Sequence, residues 1–126
     1  MTQFLIDTNI VLWLADENPR VDRIKPLLLS GDTQVFISVV SWWEIVIKIR
    51  RGKLNANFEQ IRTRAYERGF LELPITGNCL KAYLELPDLH KDPFDHMLLA
   101  QAVAEPMRFI TGDSLLADYS SLVMAI

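Results

Sequence analysis

The sequence predicts an α/β fold, a three-layer α/β/α sandwich built around a mostly parallel sheet of about four or five strands. Short apolar or β-branched segments suited to buried strands recur at 4–6, 34–40, 70–75, 108–111 and 122–125. Segments of helical character separate them, as in 58–68, where Phe58, Ile61 and Ala65 fall on one face. The connections are too long for hairpins, so successive strands should run parallel through right-handed crossovers, with helices on both sheet faces. Every strand then ends at the same edge, where open α/β sheets place their ligands.

Taken in order, Phe4, Leu5 and Ile6 read as a buried strand that stops on Asp7. Residues 9–15 are apolar nearly all round and close at 16–19, a short helix and a turn. A second helix is expected over 21–29, ending at Ser30-Gly31-Asp32. The strand 34–40 is β-branched and aromatic, with Ser38 and Ser41 bracketing its end. A long helix follows over about 40–51, with Gly52 as C-cap and basic residues complementing the negative helix end. Residues 54–57 form a loop, 58–68 a helix stopping at Gly69, 70–75 a strand, and 77–86 a helix closed by Pro87. A polar loop over 89–92 leads to a helix over 93–105 with Phe94, Met97, Leu98 and Ala102 on one stripe. Pro106 ends it, and 108–111 (strand), 114–118 (one or two helical turns) and 122–125 (strand) complete the chain.

The 126 residues suit one domain spanning 1–126, long enough to bury a core without disulfide or metal staples. The apolar stretch 35–43 is interrupted by serines and followed by Glu44, far short of the roughly 20 residues a membrane-spanning helix needs. Residues 1–15 have no basic start before an apolar core, so no signal peptide is expected and the protein should be cytoplasmic. One cysteine, Cys79, excludes an internal disulfide and a thiolate zinc cluster. The net charge of −3 gives no sign of nucleic-acid binding. Charge distribution is more telling, since Lys48, Arg50, Arg51 and Lys53 form one dense basic patch.

Four acids reach the carboxyl edge. Asp7 ends the first strand, Glu44 lies in the first turn or so after the second, Asp95 starts the helix after Pro93, and Asp113 follows the strand 108–111. Carboxylates gathered so closely repel one another unless a cation lies among them. All-oxygen ligation selects a hard ion, Mg²⁺ or Mn²⁺, over zinc. Each acid also has a local reading. Asp92-Pro93-Phe94-Asp95 is a good helix start, with Asp92 as N-cap and Asp95 favouring the dipole. Glu44 and Lys48 are spaced as a helix-stabilising pair worth about 0.3–0.5 kcal/mol. Asp7 and Asp113 are placed to cap the helices that follow them. Local capping does not, however, require that the acids fall at the ends of three strands.

Leu5-Ile6-Asp7-Thr8-Asn9, Trp43-Glu44-Ile45, His90-Lys91-Asp92-Pro93-Phe94-Asp95 and Thr111-Gly112-Asp113, in this order, resemble a PIN domain. More narrowly, the chain resembles the VapC-type ribonuclease toxins of bacterial type II toxin–antitoxin modules. The Asp-Pro-Phe-Asp segment, with the run Leu99-Ala100-Gln101-Ala102 behind it, is the most specific part. The resemblance implies a PIN-like sandwich and a Mg²⁺- or Mn²⁺-dependent endoribonuclease whose metal site is Asp7, Glu44, Asp95 and Asp113. Thr8 or Asn9 and Thr111 would be polar supports or substrate contacts, and Lys48 and Arg50 candidates to guide the RNA backbone. It also implies a VapB-type antitoxin seated beside the active site, and a homodimer. Trp13, Trp42 and Trp43 would suit either interface, or simple core packing. His96 stands where many members carry Arg and is left outside the acidic set, with Asp92 read as cap first.

Other phosphate enzymes fit less well. Haloacid-dehalogenase-like enzymes need an acid two residues after Asp7, where this chain has Asn9, and the paired acids and phosphoacceptor of a receiver domain are not evident. A catalytically silent PIN-like domain that binds RNA or a protein is the alternative, against which all four acids being present argues.

Overall fold

The computed structural model describes residues 1–88 and 92–126, so His90 and most of the expected loop over 89–92 lie outside the described residues. Among the described residues five strands, β1 (Thr2–Ile6), β2 (Thr33–Ser38), β3 (Leu71–Leu73), β4 (Arg108–Thr111) and β5 (Val123–Ala125), form one sheet in the order β3-β2-β1-β4-β5. All four pairings are parallel. The helices are α1 (Thr8–Ala15), α2 (Lys25–Leu28), α3 (Val39–Arg50), α4 (Phe58–Glu67), α5 (Gly77–Glu85) and α6 (Pro93–Ala104), with short 3₁₀ turns at Pro19–Val21 and Ser114–Tyr119.

Alternation along the strands divides the core in two. Phe4, Ile6, Val35, Ile37 and Ile110 point to one face and pack with Ile10, Val11, Leu14, Leu28, Trp42, Ile45 and Ala65 from α1 to α4. Leu5 and Phe109 point to the other, against Leu98, Leu99 and Ala102 of α6. The result is the expected sandwich. The strand order also creates a switch point: β1, β2 and β3 build outward in one direction, whereas β4 and β5 lie on the other side of β1. The crevice between the ends of β1 and β4 is where such sheets leave room for a ligand.

The helix ends follow the sequence closely. Gly52 lies just past α3 at φ +70°, and its N–H bonds the Ile49 carbonyl while that of Lys53 reaches Lys48, so the left-handed residue closes the helix. The same pair of bonds ends α4 at Gly69.

Three elements differ from expectation. The helix expected over 21–29 is a 3₁₀ turn followed by the four residues of α2, because Pro26 has no N–H to continue the ladder and Asp22 and Ile24 bond three residues back instead. β3 is shorter than 70–75, since the Phe70 N–H is used to close α4 and Pro74 cannot donate. On α6 the apolar stripe widens into burial all round, with every residue from Leu98 to Ala102 buried, Gln101 included.

Gln101 is satisfied by two elements at once. Ser38 Oγ donates to its Oε1 at 2.6 Å, and its Nε2 donates to the Pro74 carbonyl at 3.1 Å. One buried amide thus ties α6 to the ends of β2 and β3. Gln101→Leu strands both partners and is expected to lower stability by about 2–3 kcal/mol, read from the urea midpoint at unchanged slope, while the exposed Val103→Ala stays within about 0.5 kcal/mol.

Candidate functional site

Asp7 is the fixed point of the carboxyl edge. It follows β1 directly, and its N–H bonds the Ile110 carbonyl of β4 at 3.0 Å. Oδ1 accepts from the Ile10 N–H at 2.9 Å, capping α1. Oδ2 accepts from the Thr111 hydroxyl and from the Gly112 N–H at 3.2 Å. Three donors therefore hold a carboxylate that is only 3% exposed. Burial raises the Asp7 pKa, those three hydrogen bonds oppose the rise, and the negative charge of Glu44 adds to it.

Thr111 joins two of the acids. It is fully buried, donates to Asp7, and its Oγ1 accepts from the Asp113 N–H at 3.0 Å. Asp113 then caps the following 3₁₀ turn by accepting from the Leu115 N–H at 3.0 Å. Gly112 between them is a matter of space: a Cβ there would stand 2.5 Å from the Trp13 ring of α1, which the Arg20 guanidinium covers from 4.9 Å. Thr8 is buried and donates to Ser41 Oγ at 2.9 Å, tying the start of α1 to that of α3, while Asn9 is exposed.

The other two acids enter from helices. Glu44 projects from α3, with Oε2 3.2 Å from Lys48 Nζ and Oε1 buried without a hydrogen-bond partner. α6 feeds β4 at the opposite edge, so its first turn lies at the carboxyl edge, where Asp92 caps it by accepting from the Phe94 and Asp95 N–H groups. Asp95 is pushed up to about 7, by burial first and then by the negative charges of Asp92, Asp7, Glu44 and Asp113. Asp92 is its neighbour at the helix start, whereas Asp7, Glu44 and Asp113 are distant in sequence and gathered around it by the topology. His96, next along α6, turns away from them: it is buried and stacked on Tyr83 of α5 at 4.0 Å, its Nε2 without a partner. Lys48 is engaged with Glu44, and Arg50 is exposed at the end of α3.

The donor set suits a hard cation. All the donors are carboxylate oxygens, one buried Glu44 oxygen lacks a partner, and the cluster raises the cost of its own ionisation. Among the described residues no three acid, histidine or cysteine side chains stand ready in a ligating arrangement. That agrees with Glu44 being drawn to Lys48 and Asp113 to the Leu115 N–H. A cavity of about 500 Å³ lies elsewhere, between α3, α4 and β3, lined by Trp42, Tyr66 and Phe70 and by none of these acids.

Ser41, Gln101 and Gly112 carry supporting contacts whose partners the sequence does not specify. Their roles depend on which residue faces them, and only the serines bracketing the end of β2 and the glycine before an acid were visible signals.

The folded state holds the Asp95 proton up to about 7 against 3.8 ordinarily, so between about pH 4 and 7 it binds more protons than the unfolded chain. The thermal midpoint of the metal-free protein should therefore fall as pH rises across that window and level off above it. Asp95→Asn should remove much of the fall and melt above wild type at pH 8. Gly112→Ala should destabilise by about 1–3 kcal/mol in urea unfolding through its clash with Trp13, and Trp13→Phe in the same chain should recover part of the loss.

The PIN domain family model matches residues 4–122. Among solved structures, VapBC2 from Rickettsia felis, bound to a DNA fragment from its promoter, superposes with a TM-score of 0.77 at 16% identity, over 98% of both chains. A toxin–antitoxin complex from Klebsiella pneumoniae gives 0.67 at 25% identity, over 96% of this chain and 95% of that one. VapBC-1 from nontypeable Haemophilus influenzae gives 0.69 at 18% identity, over 98% of both. No curated protein is significantly similar in sequence. The family match over nearly the whole chain, on a five-stranded parallel sheet with its acids at one edge, establishes that this protein belongs to the PIN domain family.

Proposed function

We propose that this protein is the toxin of a VapBC-type toxin–antitoxin module, a Mg²⁺- or Mn²⁺-dependent endoribonuclease that hydrolyses RNA phosphodiester bonds. What carries this reading is the PIN family match together with the convergence of Asp7, Glu44, Asp95 and Asp113 at one sheet edge, a charge conflict that a bound cation would resolve. Structural likeness to toxin–antitoxin complexes supports the toxin role and a VapB-type antitoxin as partner. A homodimer is part of the same proposal. Cytoplasmic action is part of the proposal; no helix among the described residues is long and apolar enough to cross a membrane.

In this reading the carboxylates of Asp7, Glu44, Asp95 and Asp113 would hold an ion whose chemistry would be to polarise the phosphoryl oxygens, lower the pKa of a water and steady the leaving oxygen. Asp7 anchors the set, because Thr111, Gly112 and Ile10 fix its carboxylate. Glu44 enters from α3 with one oxygen still unpartnered, and Asp95 enters from α6. Thr111 and Thr8 act as supports, being buried and turned to Asp7 and Ser41. Arg50, with Lys48 once it leaves Glu44, offers positive charge to the RNA backbone along α3.

Cleavage of mixed cellular RNA by the purified, antitoxin-free chain tests this directly. Cleavage should require Mg²⁺ or Mn²⁺, stop with chelator, and fall by more than about 100-fold in Asp7→Asn. Independently of activity, Mg²⁺ should raise the thermal midpoint more at pH 8 than at pH 5, and less in Asp95→Asn. Cleavage that survives chelation, or that Asp7→Asn leaves unchanged, would overturn the metal site.

A further inference from the structure

Trp43 is 59% exposed although both its sequence neighbours, Trp42 and Glu44, face inward. It packs edge-on against Phe94 of α6, ring centroids 5.3 Å apart and planes inclined by 67°. Trp43 immediately precedes Glu44, and Phe94 lies between Asp92 and Asp95. The two rings therefore bridge the helices that deliver these acids, on the rim of the acidic edge. Packing on Phe94 restrains the indole while leaving more than half of it open.

We infer that Trp43, braced by Phe94, is a stacking platform for a base of single-stranded RNA next to the scissile phosphate. The inference rests on the nuclease reading above. The place of Trp43 favours a nucleotide over a protein segment. Glu44 and Asp95 directly follow the two rings in α3 and α6, and Arg50 lies two helical turns along α3 on the same face as Trp43, about 10 Å away. An exposed aromatic ring beside the proposed metal ligands, with a cation further along the same helix face, matches a base attached to a phosphate backbone. Stacking tolerates any base, so it would hold the strand without demanding a sequence.

The test combines kinetics and fluorescence. For a single-stranded RNA substrate, Trp43→Ala should raise KM about 5- to 100-fold with kcat changed less than about threefold, and Trp43→Phe should restore most of the loss. In the uncleaving Asp7→Asn protein, a single-stranded oligoribonucleotide of about ten nucleotides should quench tryptophan emission, and adding Trp43→Phe should remove the quench. Simple loss of packing would lower the melting temperature without this split. An unchanged KM in Trp43→Ala, while wild type cleaves in a metal-dependent way, overturns the platform and leaves the nuclease standing. So does a Trp43→Ala protein with normal RNA kinetics and weakened antitoxin binding. Absence of metal-dependent cleavage in wild type, with no quench in Asp7→Asn, removes both readings.

Discussion

Holding several carboxylates together at one sheet edge is the constraint on which the rest of this structure depends. Each acid meets it differently. Asp7 is surrounded by three donors, Asp92 and Asp113 accept N–H groups at helix starts, and Glu44 leans on Lys48. Burial and the neighbouring negative charges push the Asp95 pKa up to about 7. Capping and site-building, which read as competing explanations of these residues in the sequence, are here one arrangement. The caps hold the chain where the acids converge, and blunt the repulsion that convergence creates.

How much of this was legible depended on the range of the interaction concerned. Gly52, Gly69 and the caps at Asp7 and Asp92 are fixed by neighbours within a few residues, and the sequence reveals them. The order of the elements is equally legible, because alternating strands and helices admit few right-handed topologies. The break at Pro26 was written in the sequence too, but the apolar spacing of 21–29 masked it. The end of β3 depends on Phe70 closing the preceding helix, and the burial of α6 on what packs against its far side. Neither can be read from the segment itself. The Gln101 bridge and the Trp13–Gly112 contact join residues far apart in sequence, and nothing local marks them.

His96 illustrates the same limit within the site. In the sequence it stands next to Asp95, where many PIN-domain relatives carry Arg. Successive residues on a helix point about 100° apart, so an α6 that turns Asp95 to the other acids turns His96 toward α5, where Tyr83 covers it. Adjacency to a functional residue on a helix is thus weak evidence for sharing its role. Residues three or four apart are better candidates, as Glu44 and Lys48 show.

The shape of the site bears on what it can recognise. The 500 Å³ cavity lined by Trp42, Tyr66 and Phe70 lies away from the acidic edge. A cluster of four carboxylates can serve one phosphate of a polymer, but by itself holds little of the chain on either side. On the proposed reading, discrimination among RNAs must then come from the rim, where α3 and α6 present side chains beyond the acids. The rim is also where the structure is least constrained by packing. Asp7, Thr111 and Gln101 are locked by buried partners, so changes there cost the fold. Trp43 and Arg50 stand largely in solvent, so the same scaffold can alter what it binds without disturbing the carboxylates that would do the chemistry.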